Sequence, residues 1–153
     1  MQNSTKKVLK VSDELKDFKA EIWRRFKDYP HIFLATQEND QPRIRPVTLV
    51  NFDQRFWVLT GTRSAKVSQI RENPKIEFCL LFEEGEHTGY IRAAGSAKII
   101  SDRETKVKVA KHCDFFSRHW KSLDDPNYTL LELKPNEIEY LRPKESAVRK
   151  FKL

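Results

Sequence analysis

In RIRPV, Arg43 and Arg45 stand two residues apart, a spacing that on a strand sends both side chains to one face. Guanidinium forks so placed match the paired oxygens of phosphate. A second basic group follows in TGTRSAKVSQIRENP, residues 60–74. There Thr60 and Gly61 close a strand-like run, Ser64 holds an N-cap position, and Arg63 and Lys66 crowd the start of a short helix. Cations in a first helical turn are disfavoured by about 0.3–1 kcal/mol each, because the N-terminus already carries a partial positive charge. That end is suited to an anion. If residues 43–50 and 55–61 pair as a hairpin, the helix start swings toward Arg43 and Arg45. The hydroxyls of Thr60 and Ser64, the Lys66 ammonium and the arginines then surround a phosphate-sized hole. A solvated basic edge and a plain N-cap account for the same residues, so both readings stand at this point. Pro46 adds a constraint: lacking an N–H, it belongs at an edge, a bulge or a place where the backbone faces a ligand.

Other chemistries lack their minimal apparatus. His31, His87, His112 and His119 show no zinc-like spacing with Cys or carboxylates, so no metal site is expected. GxSxG, P-loop and GxGxxG patterns are absent, and no residue stands out as a catalytic acid or base. Cys79 and Cys113 carry no metal or redox spacing and read as two buried thiols. No apolar run approaches the roughly 20 residues of a membrane span, and the polar start MQNSTKKVLK does not read as a secretory leader, so a cytoplasmic location is expected. A net charge of +7 invites an anionic partner. Part of that excess lies in RPKESAVRKFKL, residues 142–153, which composition reads as a solvated tail. A basic nucleic-acid-binding barrel using Phe52, Phe56, Trp57 and Tyr90 for stacking is the alternative of another class. Most of these aromatics alternate with polar residues as core residues do, which disfavours it.

The elements that must position the cluster follow from periodicity. In 153 residues, 39% hydrophobic and 33% charged, one globular domain with a real core is expected over 1–153. VSDELKDFKAEIWRRF predicts a helix over 11–27, with Ser12 as cap and Val11, Leu15, Phe18, Ile22 and Phe26 on one face. HIFLAT, RIRPVTLVN and RFWVLTG, joined by ENDQP and FDQ, predict an antiparallel meander. KIEFCLLFEE and GYIRAAGSAKII continue the strands, with small residues at 93–97 leaving room for a bend or a close packing partner. A second helix is predicted from a capping box at Ser101 and Glu104, with a seam of Val109, Cys113, Phe116 and Trp120. YTLLELKPNEIEYL closes the fold as two strand-like halves around Lys134 and Pro135. Together these predict an α+β, mainly β domain: a small antiparallel barrel over 30–143 with flanking helices and a basic tail over 144–153.

The ordered series RIRPVTLV, RFWVLTGTRSAKVSQIRENPKIEFCL and GYIRAAGSAKII resembles the pyridoxamine 5′-phosphate oxidase-like split-barrel flavoproteins, especially their short general-stress-protein branch. The resemblance runs from about residue 30 to about 143. It implies a six-stranded split barrel (Greek key) that forms a homodimer and binds FMN in clefts between the subunits. On this resemblance Arg45 and Val47 match positions that hold the flavin phosphate and ring edge. Thr60 matches the strand-end hydroxyl next to Gly61, and Ser64 and Lys66 match the phosphate-binding helix start. Arg43, Pro46 and Arg63 are further candidates, and Tyr90 occupies the position of a flavin-contacting glutamine in the true oxidases. EIEYLRP and VRKFKL depart from the oxidases' substrate-holding C-terminal segment, and Leu141 stands where related stress proteins often carry Trp. The resemblance therefore implies an FMN-dependent oxidoreductase of an unidentified small molecule, with NADH or NADPH as candidate electron donors, rather than a pyridoxamine phosphate oxidase. A non-catalytic flavin- or haem-binding sensor or store is the neighbouring alternative.

Overall fold

The computed structural model of the protein describes residues 16–153, of which 16–25 form a helix, α1. Its buried face is the predicted one: Ile22 and Phe26 enter the core and Phe18 packs beside them. Val11, Leu15 and the Ser12 cap lie outside the described residues.

Asn39 and Asp40, with φ of 49° and 66°, turn β1 (His31–Glu38) back as β2 (Gln41–Thr48). Left-handed angles at both central residues give the turn whose twist matches that of paired strands. The expected meander stops there. RFWVLTG forms β4 (Arg55–Gly61) but pairs with β7 (Tyr128–Leu141) and with the short β3 (Val50–Phe52), not with β2. The FDQ turn, left-handed at Asp53 and Gln54, closes the β3–β4 hairpin instead.

β5 (Lys75–Glu84) and β6 (His87–Ile100) complete the main path, and β8 (Arg149–Lys152) adds to β7. The order is β2-β1-β5-β6-β7-β4-β3, antiparallel throughout, with β8 off the path. The two end strands, β2 and β3, are separated in the chain by the single buried residue Leu49. One stretch of backbone therefore runs from one edge of the sheet to the other and curls it into a split barrel. Pro46 is on the β2 edge, where its missing N–H costs no ladder bond.

Among the described residues, eight strands replace the six expected. The additions are β3, formed because Leu49 interrupts β2, and β8, which turns the tail into structure. In the β7–β8 register Lys150 faces Glu139 and Lys152 faces Glu137, while Phe151 packs against the core. Opposite charges directly across an antiparallel pair stabilise it, so the tail is not merely solvated. β7 is one strand rather than two halves. Its irregularity falls opposite Gly95, where an added Cβ would sit 2.0 Å from the Lys134 carbonyl oxygen. That close approach is what the small residues at 93–97 allow.

Inside the barrel, Ile32, Leu34, Val58, Phe78, Ile91 and Leu131 pack with Ile22 and Phe26. On the other face of β3, β4 and β7, Val50, Trp57, Tyr128 and Leu130 are covered by α3 (Arg103–His112), the helix that follows α2 (Ala65–Glu72) in the chain, and by the segment after α3. The cap of α3 is Asp102 rather than Ser101, because the Asp102 carboxylate accepts from the Thr105 backbone N–H at 2.9 Å. α3 ends at His112, yet Val109, Cys113, Phe116 and Trp120 all join this second core. Phe56 and Trp57 are buried, which removes two of the surfaces a nucleic-acid reading requires.

Candidate functional site: an anion cradle at the start of α2

α2 (Ala65–Glu72) begins directly below the end of β4, with Ser64 at the N-cap and no acidic residue in its first turn. The Ser64 side chain makes no capping bond. Its hydroxyl instead lies 3.2 Å from the Thr60 hydroxyl, and the Lys66 ammonium donates to both, at 2.7 Å to Thr60 and 3.3 Å to Ser64. A cap that forgoes its usual bond loses about 1 kcal/mol of helix stability. The hydroxyl is thereby kept beside a cation. Lys66 is half-buried, Thr60 is buried, and two of three ammonium N–H groups are taken by hydroxyls rather than by a carboxylate.

Arg45 approaches from the β2 edge. Opposite Leu34 in register, it shares that residue's inward face. Its guanidinium donates to the Leu34 carbonyl at 3.1 Å, the Thr36 hydroxyl at 2.8 Å and the Gln69 side-chain oxygen at 2.7 Å. Three of the five guanidinium N–H groups are thus held by the protein, and two are left for another acceptor. Burial pulls the Arg45 pKa below its usual range. Burial, and then the nearby Arg45 charge, lowers that of Lys66. Among the described residues, neither cation forms an ion pair with a carboxylate. Two cations that desolvation and mutual repulsion both disfavour, held by neutral groups, make a site that a bound anion stabilises.

Thr60, Gly61, Lys66 and Val47 line a cleft of about 510 Å³, within the size range of small-molecule sites, about 300–1,000 Å³. The wall continues through Tyr29, His31, Thr48, Val58, Leu59, Phe115, His119 and Trp120, with no carboxylate among the described lining residues. A lysine and hydroxyls together with aromatic rings in one lining suit a planar ligand that carries an anionic group. A separate, more apolar cavity of about 370 Å³ lies between α1, β4, β7 and the C-terminal strand, lined by Trp23, Phe56, Leu133 and Phe151 among others. It holds no cradle residue.

Of the sequence candidates, Arg45, Thr60, Ser64 and Lys66 form the cradle, and Val47 and Gly61 lie in the cleft wall. Arg43 does not join them: it pairs with Glu38 at 3.5 Å, because Glu38 stands at the same hairpin end on the facing strand. Pro46, opposite Phe33, and Arg63, in the turn before α2, are exposed. Tyr90 sits across from Leu81 and Leu141 on β6, away from the cleft lining. Sequence reasoning missed Thr36 and Gln69. Gln69 is a buried polar residue beside Val67 and Ile70, three positions after Lys66. That spacing on a helix was the available signal.

An antiparallel split barrel, with an edge-strand arginine and a helix-start lysine brought together at α2, defines the structural class. The chain belongs to the pyridoxamine 5′-phosphate oxidase family, in its general-stress-protein branch: residues 18–142 match the family model described as "Pyridoxamine 5′-phosphate oxidase". It is 29% identical over 115 residues to General stress protein 26 of Bacillus subtilis (strain 168), covering 74% of this chain and 81% of that one. The crystal structure of General Stress Protein 26 from Bacillus anthracis str. Sterne is similar at a TM-score of 0.71 and 26% identity, covering 89% of this chain and 98% of that one. A heme binding protein from Mycobacterium smegmatis shares the fold at a TM-score of 0.69 and 13% identity, over 85% of this chain and 56% of the other. No helix among the described residues is long and apolar enough to cross a membrane.

Proposed function

We propose that the protein is a homodimeric, cytoplasmic FMN-binding oxidoreductase acting on a small molecule other than pyridoxamine phosphate. One observation carries the cofactor reading: Arg45 and Lys66, both partly desolvated, come together at α2 with unused N–H donors and, among the described residues, no carboxylate partner, and Lys66 lines the cleft. The phosphate of FMN supplies the missing negative charge, and family membership supports the choice of FMN among phosphate-bearing ligands. In this reading Arg45, Lys66, Thr60 and Ser64 hold the phosphate, while Val47 and the aromatic half of the cleft hold the apolar part of the cofactor. FMN, when bound, supplies redox chemistry that the side chains lack.

The dimer reading rests on the outer face of β1, β2 and β5. Phe33, Ile44 and Leu81 are 44%, 69% and 55% exposed there, with Pro46 and half-buried Cys79 between them. Large apolar side chains grouped on one sheet face mark an interaction surface, and a second copy covers it symmetrically. The unpaired thiols Cys79 and Cys113 fit a reducing compartment. The test is the visible spectrum of the purified protein, with and without added FMN, followed by anaerobic addition of NADH or NADPH. A flavin spectrum that bleaches with a donor supports the full reading. A protein that gains no flavin band on titration overturns it.

A haem-binding, non-catalytic role is the second reading. It is favoured by His31 and His119 in the cleft wall, and a protein of the same fold is described as heme binding. Haem added to the protein then gives a sharp Soret band that His119→Ala abolishes; an unchanged haem spectrum rejects this reading.

A further inference from the structure

The cradle contains one group that the chemistry of phosphate binding does not require and that is nonetheless built in with care. Gln69, 6% exposed, projects from α2, the helix that also carries Lys66. Its side-chain oxygen accepts from Arg45 at 2.7 Å and from the Thr36 hydroxyl at 2.6 Å, and its amide nitrogen donates to a Glu38 carboxylate oxygen at 2.9 Å. Ionised Glu38 is an acceptor only, so it orients the amide with nitrogen outward and oxygen toward Arg45. Arg43, 3.5 Å from Glu38, steadies that carboxylate in turn. A chain of contacts therefore runs from the exposed hairpin end through Glu38 and Gln69 to the guanidinium.

The neutrality of Gln69 is the decisive property. A carboxylate at this position would hold Arg45 just as firmly, but it would neutralise the charge and present a second anion next to the cleft. An apolar side chain would leave both the Thr36 hydroxyl and the guanidinium without this acceptor. We propose that Gln69 is a positioning residue for anion recognition: it fixes Arg45 against α2 while leaving its charge and two of its N–H donors to a phosphate monoester, with Glu38 setting the amide orientation. Where it concerns flavin, the assignment rests on the FMN reading above; where it concerns the anion, it does not.

The test uses two probes on the full chain, with Gln69→Glu and Gln69→Leu. Inorganic phosphate raises the unfolding midpoint of the wild-type protein but not that of Gln69→Glu, a readout independent of any flavin. In titrations with FMN and with riboflavin, which lacks the phosphate, Gln69→Glu loses about 100-fold in FMN affinity and Gln69→Leu about tenfold. Riboflavin affinity stays within about twofold in both variants, since Gln69 does not line the cleft in which the FMN reading places the ring. A merely structural role would lower both affinities together. Phosphate protection retained in Gln69→Glu, or equal losses for FMN and riboflavin, overturns the assignment of Gln69. Wild-type protein that responds to inorganic phosphate yet binds neither flavin rejects the FMN reading and leaves the phosphate comparison to decide on Gln69. If Gln69→Glu does not fold, Gln69→Leu decides by the same two comparisons.

Discussion

Arg92 and Lys66 carry the same charge and meet opposite surroundings. On the outer face of the sheet, Arg92 bonds Glu139 and lies 2.9 Å from Glu77, and Lys150 reaches Glu139 at 3.0 Å. Arg142 holds Glu21 with two donors, at 3.1 and 2.7 Å. These cations are compensated within the chain, and the Arg92 and Arg142 pKa values are raised by their carboxylate partners. Lys66 and Arg45 have hydroxyls, a carbonyl and an amide instead, and their pKa values are lowered. The difference separates charge compensated inside the chain from charge with no carboxylate partner among the described residues.

The largest effect expected is on the cradle. Arg45→Ala combined with Lys66→Ala removes two charge-assisted donors, each worth about 1.5–3 kcal/mol, so FMN affinity in titration falls by at least about 100-fold. The far-ultraviolet dichroism of the strands is retained. The matching change on the compensated side is Arg55→Met. Arg55 bonds Glu132, whose side chain is 4% exposed, and Lys134 stands 3.4 Å away without completing a hydrogen bond to the buried oxygen. Urea unfolding is expected to show a loss of about 2 kcal/mol. That is below the 3–5 kcal/mol of a fully buried broken pair, because Arg55 is 45% exposed and Lys134 remains. FMN affinity is unchanged. Equal effects of both sets of variants on binding and stability would erase the distinction.

A smaller effect sharpens it. Lys66→Met removes an uncompensated, half-buried cation, so the ligand-free protein gains about 0.5–1 kcal/mol in the same unfolding measurement, whereas FMN binding weakens. The smallest effect is in pH dependence. With its pKa lowered by burial and by Arg45, Lys66 binds fewer protons in the folded than in the unfolded chain between its lowered and ordinary values. In that interval the stability of the ligand-free protein rises with pH. A bound phosphate favours the charged ammonium, so FMN binding takes up protons there and affinity falls as pH rises. Opposite slopes of stability and affinity, measured by denaturation and titration across the alkaline range, are the expected pair; Lys66→Met shows neither.

The cradle was partly legible because its members sit at informative spacings. Thr60, Ser64 and Lys66 follow one another across a single strand-to-helix turn, so local pattern alone brings them together. Arg45 does come close to the helix, but not by the expected hairpin, since β2 does not pair with β4; it reaches the helix across β1, through Thr36 and Gln69. Arg43 shows the limit of the two-residue rule. It shares a face with Arg45, yet the hairpin turn supplies Glu38 and removes it from the site. The second core was visible as the Val109, Cys113, Phe116 and Trp120 seam, although its helix stops at His112. β8 was not legible, because a basic tail becomes a strand only when Glu137 and Glu139 of β7 stand opposite it, a long-range pairing that composition does not carry.

The central claim is that the uncompensated cations at the start of α2 recognise a phosphate. It is tested most directly by titrating the wild-type protein with FMN and with riboflavin at the same pH and salt. The two ligands share the flavin ring and differ in the phosphate group. The account predicts that FMN binds at least about 100-fold more tightly, two charge-assisted hydrogen bonds' worth of discrimination, and that added salt narrows the gap. Equal affinities would contradict it, because the cradle would then contribute nothing to recognition of the phosphate group.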